Sequence, residues 1–409
     1  LKIHLAGPES KLLNSQVSIT GSKSESNRLL LLKALYPNIA IENLSNSDDS
    51  KVMQNGLVHD KGIVDIHHAG TAMRFLTGYF ASQEGKEVTL TGSQRMTERP
   101  IEVLVEALRT LGAEIEYLQN EGFPPIRVRG KNLPQNRVSL PANISSQYIS
   151  SLLLIAPKMP KGLELELIGT ITSVPYIKMT LGLLNQIGIT TSFEGNIIKV
   201  APKKSIDPIN VVVESDWSSA SYFYSIAALS DLGSEIKLSA YKKNSLQGDR
   251  VLSEIYERFG VQTRFNGNEI KLRKIAHSKP ANCNMDLSNA PDIAQTIAVT
   301  CFGLGIACHL SGLHTLKIKE TDRLEAMKTE LSKFGANISV TDNALTLAPS
   351  NSIQKNSTVD TYNDHRMAMA FGPLAMKTSL FINNYDVVSK SYPDYWDDLK
   401  KLGFTVNKL

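Results

Sequence analysis

One phrase recurs along the chain and limits what it can fold into: an amphipathic helix, a glycine, then a β-rich run. It reads LVEALRTLGAEIEY around Gly112, LGLLNQIGITTSF around Gly188, LSEIYERFGVQTRF around Gly260, MKTELSKFGANISV around Gly335 and DDLKKLGFTV around Gly403. A weaker early copy, SKVMQNGLV, surrounds Gly56. Each glycine fits a helix C-cap, where a positive φ meets no Cβ clash. From Gly112 onward the glycines are 76, 72, 75 and 68 residues apart. Self-similarity at a near-fixed period marks a repeat architecture. At 409 residues the chain is too long for one ordinary core, so six units are expected to divide into two domains of three.

The interval from Gly56 to Gly112 is only 56 residues, roughly a dozen to twenty short of the repeat. The shortfall falls near Val58–Gly62: either this unit has lost a strand or the sequence omits a segment there. Between the helices lie alternating runs, GKEVTLTG, GLELELIG and SEIKLSA, that read as short strands bounded by Gly or Ser. Each unit is therefore mixed α/β, with helices covering a sheet face. The polar stretch VVVESDWSSAS (211–221) is one candidate crossing between domains, and Thr20-Gly21 is the other. That division puts residues 1–20 and 215–409 in a domain containing both termini, with 21–214 inserted, because closure of six units requires the N-terminal strand to join the second domain.

Composition narrows the function. Hydrophobic content of 42%, charged content of 21% and a net charge of +4 with no basic block do not suggest a nucleic-acid or membrane surface. Three cysteines, Cys283, Cys301 and Cys308, make neither a disulfide framework nor a paired metal spacing, so a reducing cytoplasm is expected. The opening LKIHLAGPES has no charged leader before an apolar run. The most apolar window, Thr296 to Leu313, reads as a buried helix and a following strand.

The polar residues gather at helix starts: GSKSESNR (21–28), AGTAMR (69–74), RMTERP (95–100), ISSQY (144–148), TSVPYI (172–177), APDIAQ (290–295), LKIKETDRLEAM (316–327), YNDHRMAMA (362–370) and SKSYPDYW (389–396). Ser and Asp there are explained by N-capping. Cations are not, since a positive charge opposes the helix dipole. Lys23, Arg28, Arg74, Arg99, Lys319, Arg323, Arg366 and Lys390 all stand in or near these starts, and an anion held between dipole and cation removes the conflict. GSKSESNR lacks the Walker A spacing, so a nucleotide loop is not implied.

In this order these motifs resemble the shikimate branch of the enolpyruvyl transferase family, the 5-enolpyruvylshikimate-3-phosphate synthases, over nearly the whole chain. The resemblance implies two domains of three β/α units, with helix N-termini facing an interdomain cleft. It implies transfer of the carboxyvinyl group of phosphoenolpyruvate to the 5-hydroxyl of shikimate 3-phosphate, by addition and elimination, without metal or other cofactor. Carried over residue by residue, Lys23, Gly70, Arg99, Gln147, Arg323, Arg366 and Lys390 are expected to meet phosphoenolpyruvate. Lys23, Ser24, Arg28, Ser145, Ser146, Gln147, Ser173, Asp292, Thr315 and Lys319 are expected to meet shikimate 3-phosphate. Asp292 is placed at the 5-hydroxyl and Glu320 at the methylene proton, with Lys23 assisting. A cytoplasmic monomer with these two small substrates, and no nucleic-acid or membrane partner, is the expectation.

On the residues alone, Asp292 also fits a helix cap and Glu320 a first-turn dipole acid. His365 fits either a base or a structural donor beside Arg366, and Asp48-Asp49 fit a cap for the next helix. Met327, Met367 and Met369 read as core. The chain departs from the family at His68 and Thr315, where Asn is frequent, at Val174 for Lys, and at Phe75 for Pro. Gly70 leaves room for glyphosate, the family's inhibitor, so inhibition is expected, and Gly70→Ala is expected to weaken its binding. The sister transferase that acts on a UDP-linked amino sugar uses a first-domain cysteine, whereas all three cysteines here follow residue 282. A non-catalytic binder of phosphorylated metabolites would be expected to lose Asp292, Glu320 or Lys23. RNA-end-modifying enzymes would carry their basic residues along one aromatic-rich face.

Overall fold

The computed structural model describes residues 1–277 and 283–409. The chain forms two compact units, Leu1–Gly21 with Glu214–Leu409 (the terminal unit) and Ser22–Val213 (the inserted unit).

Among the described residues the strands form five four-stranded sheets of one topology and one two-stranded sheet. In the full pattern two strands pair in parallel, and an antiparallel hairpin is added beyond the second. Lys61–Asp65 pairs in parallel with Glu87–Thr91, which pairs antiparallel with Ile126–Arg129, which in turn pairs with Glu114–Tyr117. The parallel pair needs a helical crossover, here Gly70–Ala81. The helix Glu102–Leu111 leads into the hairpin. Leu163–Ile168 and Ile197–Val200 repeat the pattern with their neighbours.

Two sheets of the terminal unit are assembled from distant stretches. Asn14–Ser18 pairs with Glu235–Ser239 across the whole inserted unit. Lys2–Ala6 lies between Leu380–Asn383 and Thr405–Lys408, so the first strand completes the last sheet. The two-stranded sheet joins Ile39–Glu42 to Ile209–Val212 and lacks the hairpin. The reason is local: the helix Asp48–Leu57 is followed after three residues by Lys61, the first of the next strand. The unit with the short spacing thus has two strands fewer than the others.

Five of the six repeat glycines have positive φ: Gly112, Gly188, Gly260, Gly335 and Gly403, between 76° and 109°. Gly56 is the exception. It lies within Asp48–Leu57, where a Cβ would come 2.4 Å from Leu76 Cδ1. Its glycine serves close helix packing, not a cap.

Each unit has its own core. The inserted unit buries aliphatic runs, Leu29–Leu32 and Leu152–Ile155, with Phe75 and Phe80. The terminal unit buries Trp217, Tyr222, Tyr224, Tyr241, Tyr256, Phe259, Tyr392 and Tyr395. Trp217–Ser221, read from sequence as part of a polar crossing, opens one of the most buried helices, Trp217–Leu229. The window from Thr296 forms the buried helix Ala294–Leu304 and the strand Cys308–Ser311. Met327, Met367 and Met369 are core residues. No helix among the described residues is long and apolar enough to cross a membrane.

Candidate active site

In the inserted unit, Lys23 is the first residue of the helix Lys23–Leu35, capped by the Ser22 hydroxyl. Its Nζ lies 3.1 Å from Asp49 Oδ2. The sequence reading gave Asp48-Asp49 to capping, but the cap of that helix is Ser47. Asp49 is a first-turn acid, buried and turned to Lys23.

Arg28, one turn further along, is buried. It donates from Nε to Thr180 Oγ1 at 2.8 Å, and through its two terminal nitrogens to the Ser24 carbonyl at 2.8 Å and Ser150 Oγ at 2.9 Å. Three helices meet at this guanidinium: Lys23–Leu35, Ser146–Ile155 and Val174–Gln186. Burial pushes the Arg28 pKa down to about 10, against smaller opposing effects of Tyr176 and Glu25.

The remaining candidates of this unit stand on neighbouring helix starts. Ser145 caps Ser146–Ile155 through Gln147 N at 3.4 Å, and Ser146 is the first helical residue. Gln147 Nε2 donates to Thr71 Oγ1 at 3.1 Å, which ties it to the helix that Gly70 opens. A Cβ on Gly70 would fall 2.6 Å from an Arg99 terminal nitrogen, so this glycine and this arginine face each other. Ser173 precedes Val174–Gln186 with φ 55° and makes no capping bond.

In the terminal unit the candidates form one ion network. Arg323, first residue of Arg323–Lys333, is buried. Its guanidinium meets Asp364 at 2.7 and 3.3 Å, Asp292 Oδ1 at 3.0 Å and Glu320 Oε2 at 2.8 Å. Lys390 Nζ holds the other Glu320 oxygen at 2.8 Å. Arg366 reaches Asp292 Oδ2 at 3.3 Å, and Lys319 lies 3.8 Å from Oδ1. Thr315, in the turn before Lys319, is half-buried; its hydroxyl oxygen is buried and unbonded among the described residues and stays outside the network.

The electrostatics follow this packing. Burial works against the Arg323 charge, but Asp364, Glu320 and Asp292 outweigh it and raise its pKa. Lys319 is attracted by Asp292, its largest single influence, yet burial with Arg323 and Arg366 nearby leaves its pKa lowered.

The structure corrects the helix-start argument for several residues. Lys23, Arg323 and Arg366 are in first turns. Arg28 and Arg74 lie a turn deeper. Lys319 and Lys390 follow or end 3-10 turns, where a cation agrees with the dipole. Arg99 lies between the helices Gln94–Thr97 and Glu102–Leu111. Asp292 lies inside a 3-10 turn whose cap position is Ala290, and Glu320 precedes the true cap, Asp322. Their carboxylates go to cations instead.

Sequence reasoning missed Asp49, Asp364 and Asp249 as site acids. Asp249 is buried and bonded by the Ser218 hydroxyl, which also accepts from Arg366 at 3.4 Å. Burial, then the nearby Asp292 carboxylate, pushes Asp249 up to about 7. Its signal was available, since it lies in a short helical turn, Gly248–Val251, after the polar run NSLQ.

Comparison with known proteins identifies the family of the chain. The profile of the EPSP synthase family, 3-phosphoshikimate 1-carboxyvinyltransferase, matches residues 54–399. The chain is 43% identical over 399 residues to the 3-phosphoshikimate 1-carboxyvinyltransferase of Bacteroides fragilis, covering 96% of each. It is 35% identical over 427 residues to that of Pasteurella multocida, covering 95% of this chain and 96% of the relative. In fold it is similar to EPSP synthase from Acinetobacter baumannii, with a TM-score of 0.79 at 21% identity and full coverage of both chains. A family profile matched over most of the chain, with near-full-length relatives, places this chain in the EPSP synthase family.

Proposed function

We propose that the inserted unit supplies most of the contacts to shikimate 3-phosphate, while the terminal-unit network supplies most of the cations for phosphoenolpyruvate and moves the protons. The reaction is the family's: the carboxyvinyl group of phosphoenolpyruvate passes to the 5-hydroxyl of shikimate 3-phosphate, and phosphate leaves. What carries the division of labour is the terminal-unit cluster, in which Asp292 lies within 3.0 to 3.8 Å of three cations and Glu320 within 2.8 Å of two.

Two substrates bring two phosphates and two carboxylates together, and such anions repel strongly once water is excluded. Arg323, Arg366 and Lys390, with Arg99 of the inserted unit, neutralise phosphoenolpyruvate. Lys23, Ser24, Arg28, Ser145, Ser146, Gln147, Ser173, Thr315 and Lys319 hold shikimate 3-phosphate. In the addition step Glu320 supplies a proton to the methylene carbon, Asp292 takes the proton of the attacking 5-hydroxyl, and a tetrahedral adduct forms. Elimination returns a methyl proton to a base as the C–O bond to phosphate breaks. Both carboxylates are oriented by fixed cations, the positioning that acid–base catalysis requires.

The test is to mix the protein with both substrates and follow phosphate release. Release that requires shikimate 3-phosphate is the expected result. Release with a UDP-linked amino sugar as acceptor instead would move the chain to the sister branch. The protein is further proposed to act as a cytoplasmic monomer, which sedimentation and cell fractionation check: a dimer, or membrane-bound protein, would overturn it.

A further inference from the structure

We propose that Glu330 and Tyr362 are positioning residues for Asp364 and Arg366, clamping a left-handed turn that decides where the helix His365–Phe371 begins. The proposal rests on the reading that Arg366 serves phosphoenolpyruvate.

Arg323 and Glu330 are seven residues apart on one helix, which puts them two turns apart on the same face. Each grips one end of the segment 360–364. Arg323 holds Asp364 at the far end. Glu330 holds the near end: it accepts the Tyr362 hydroxyl at 2.6 Å and the Asp360 backbone N–H at 3.0 Å. Lys333 closes the arrangement, bonding both Glu330 oxygens at 2.8 and 2.9 Å and Asp360 at 2.8 Å. Asn383 donates to the second Asp360 oxygen at 2.7 Å.

The segment between the grips has an unusual shape. Tyr362 and Asn363 have φ of 53° and 54°, both left-handed and neither glycine. Asn visits this region readily, whereas a bulky residue such as Tyr seldom does. Such conformations persist where surrounding contacts impose them. Here the turn closes through Asp364 N–H to Thr361 O at 2.8 Å. It then delivers Asp364, which accepts from Arg366 N at 2.9 Å and so starts the helix. Arg366 is thereby aimed at Asp292. Glu330 is fully buried, two helical turns from the ion network. A carboxylate there is costly to bury unless its bonds are used, and two of them go to the turn.

Kinetics of Tyr362→Phe with both substrates, beside thermal melts, test this. Loss of the phenol donor is expected to lower kcat/KM for phosphoenolpyruvate about tenfold, while KM for shikimate 3-phosphate stays within about twofold and the melting temperature moves little. Asn363→Gly in the same background supplies a residue at home in left-handed backbone and is expected to restore part of the loss. Glu330→Gln, able to accept only one of the two turn bonds, is expected to show the same selective loss. A Tyr362→Phe enzyme within about twofold of the parent, or one that loses both substrates alike with no rescue by glycine, overturns the clamp. Arg366→Ala separates the failures. If it leaves KM for phosphoenolpyruvate unchanged, the underlying reading falls, whereas a crippled Arg366→Ala beside a normal Tyr362→Phe sinks the clamp alone.

Discussion

Arg28 in the inserted unit and Arg323 in the terminal unit are both buried guanidinium groups, and their surroundings are opposite. Arg28 donates to two hydroxyls and a carbonyl. Arg323 donates to three carboxylates. Burial therefore dominates Arg28 and lowers its pKa, whereas the carboxylates prevail at Arg323 and raise its own. A buried cation answered by neutral oxygens keeps most of its attraction for an arriving anion. One answered by carboxylates keeps less, but fixes the orientation of those carboxylates. The first arrangement suits capture of a phosphate and the second suits proton transfer. Lys23 crosses the pattern, since Asp49 stands 3.1 Å away, which fits a residue shared by both substrates.

The sharpest test of the contrast is Asp292→Asn, which keeps the shape and removes the proton acceptor. Turnover is expected to fall by roughly 10²–10⁴-fold, the range of a general acid–base group. Affinity for shikimate 3-phosphate is expected to stay within about tenfold, or ~1.4 kcal/mol. Phosphate release and a direct binding titration measure the two. Near-parental turnover would remove Asp292 from the chemistry.

Next comes stability. Arg323→Met leaves Asp292, Glu320 and Asp364 without their shared cation, and breaking a buried ion pair from one side costs about 3–5 kcal/mol. The readout is specific, because the chain's two tryptophans, Trp217 and Trp396, both lie in the terminal unit. Denaturant unfolding followed by tryptophan fluorescence should show the loss. A change below about 1 kcal/mol would mean that the network does not hold this unit together.

The repeat phrase made most of the fold legible, because a C-cap glycine between an amphipathic helix and a strand leaves a strong local pattern. The absent hairpin left a trace too, a short interval near Val58 that read as a lost strand or an omitted segment. Gly56 misled because a glycine needed for helix packing looks the same in sequence as one needed for positive φ. At the site, cations and motifs were visible but their partners were not. Asp49 lies 26 residues beyond Lys23, and Asp364 lies 41 beyond Arg323. Such pairs are made by tertiary packing, which no local pattern encodes. Placing Lys319 and Lys390 at helix starts failed because short 3-10 turns precede the longer helices there.

Asp249 tests the terminal unit through pH. Its carboxyl is raised from 3.8 to about 7 by burial, with the Asp292 charge adding to the shift. Below the unfolded value both states bind the proton, and the contribution to stability is complete. As pH rises through about 7 the folded carboxyl must ionise while buried, and the contribution is lost. A shift of this size corresponds to at most about 4 kcal/mol. Asp249→Asn cannot ionise, so it should flatten the decline between about pH 4 and 7 and be more stable than the parent at pH 8. An unchanged slope would show that Asp249 titrates elsewhere.

Arg28→Met probes the inserted unit, where the comparison predicts the reverse of Arg323→Met. Methionine fills similar space, and the abandoned hydroxyls keep partners: Ser150 and Thr180 lie 2.9 Å apart, and Thr180 also donates to Tyr176 O at 3.0 Å. No buried carboxylate is left behind by this change among the three hydrogen bonds it removes. Stability should therefore change by less than about 1 kcal/mol. Binding of shikimate 3-phosphate should weaken by about 1.5–3 kcal/mol, the worth of a hydrogen bond to a charged group. Calorimetric titration and thermal unfolding give the two numbers. A variant that unfolds readily yet binds normally would reverse the contrast, because Arg28 would then be serving the fold and not an incoming anion.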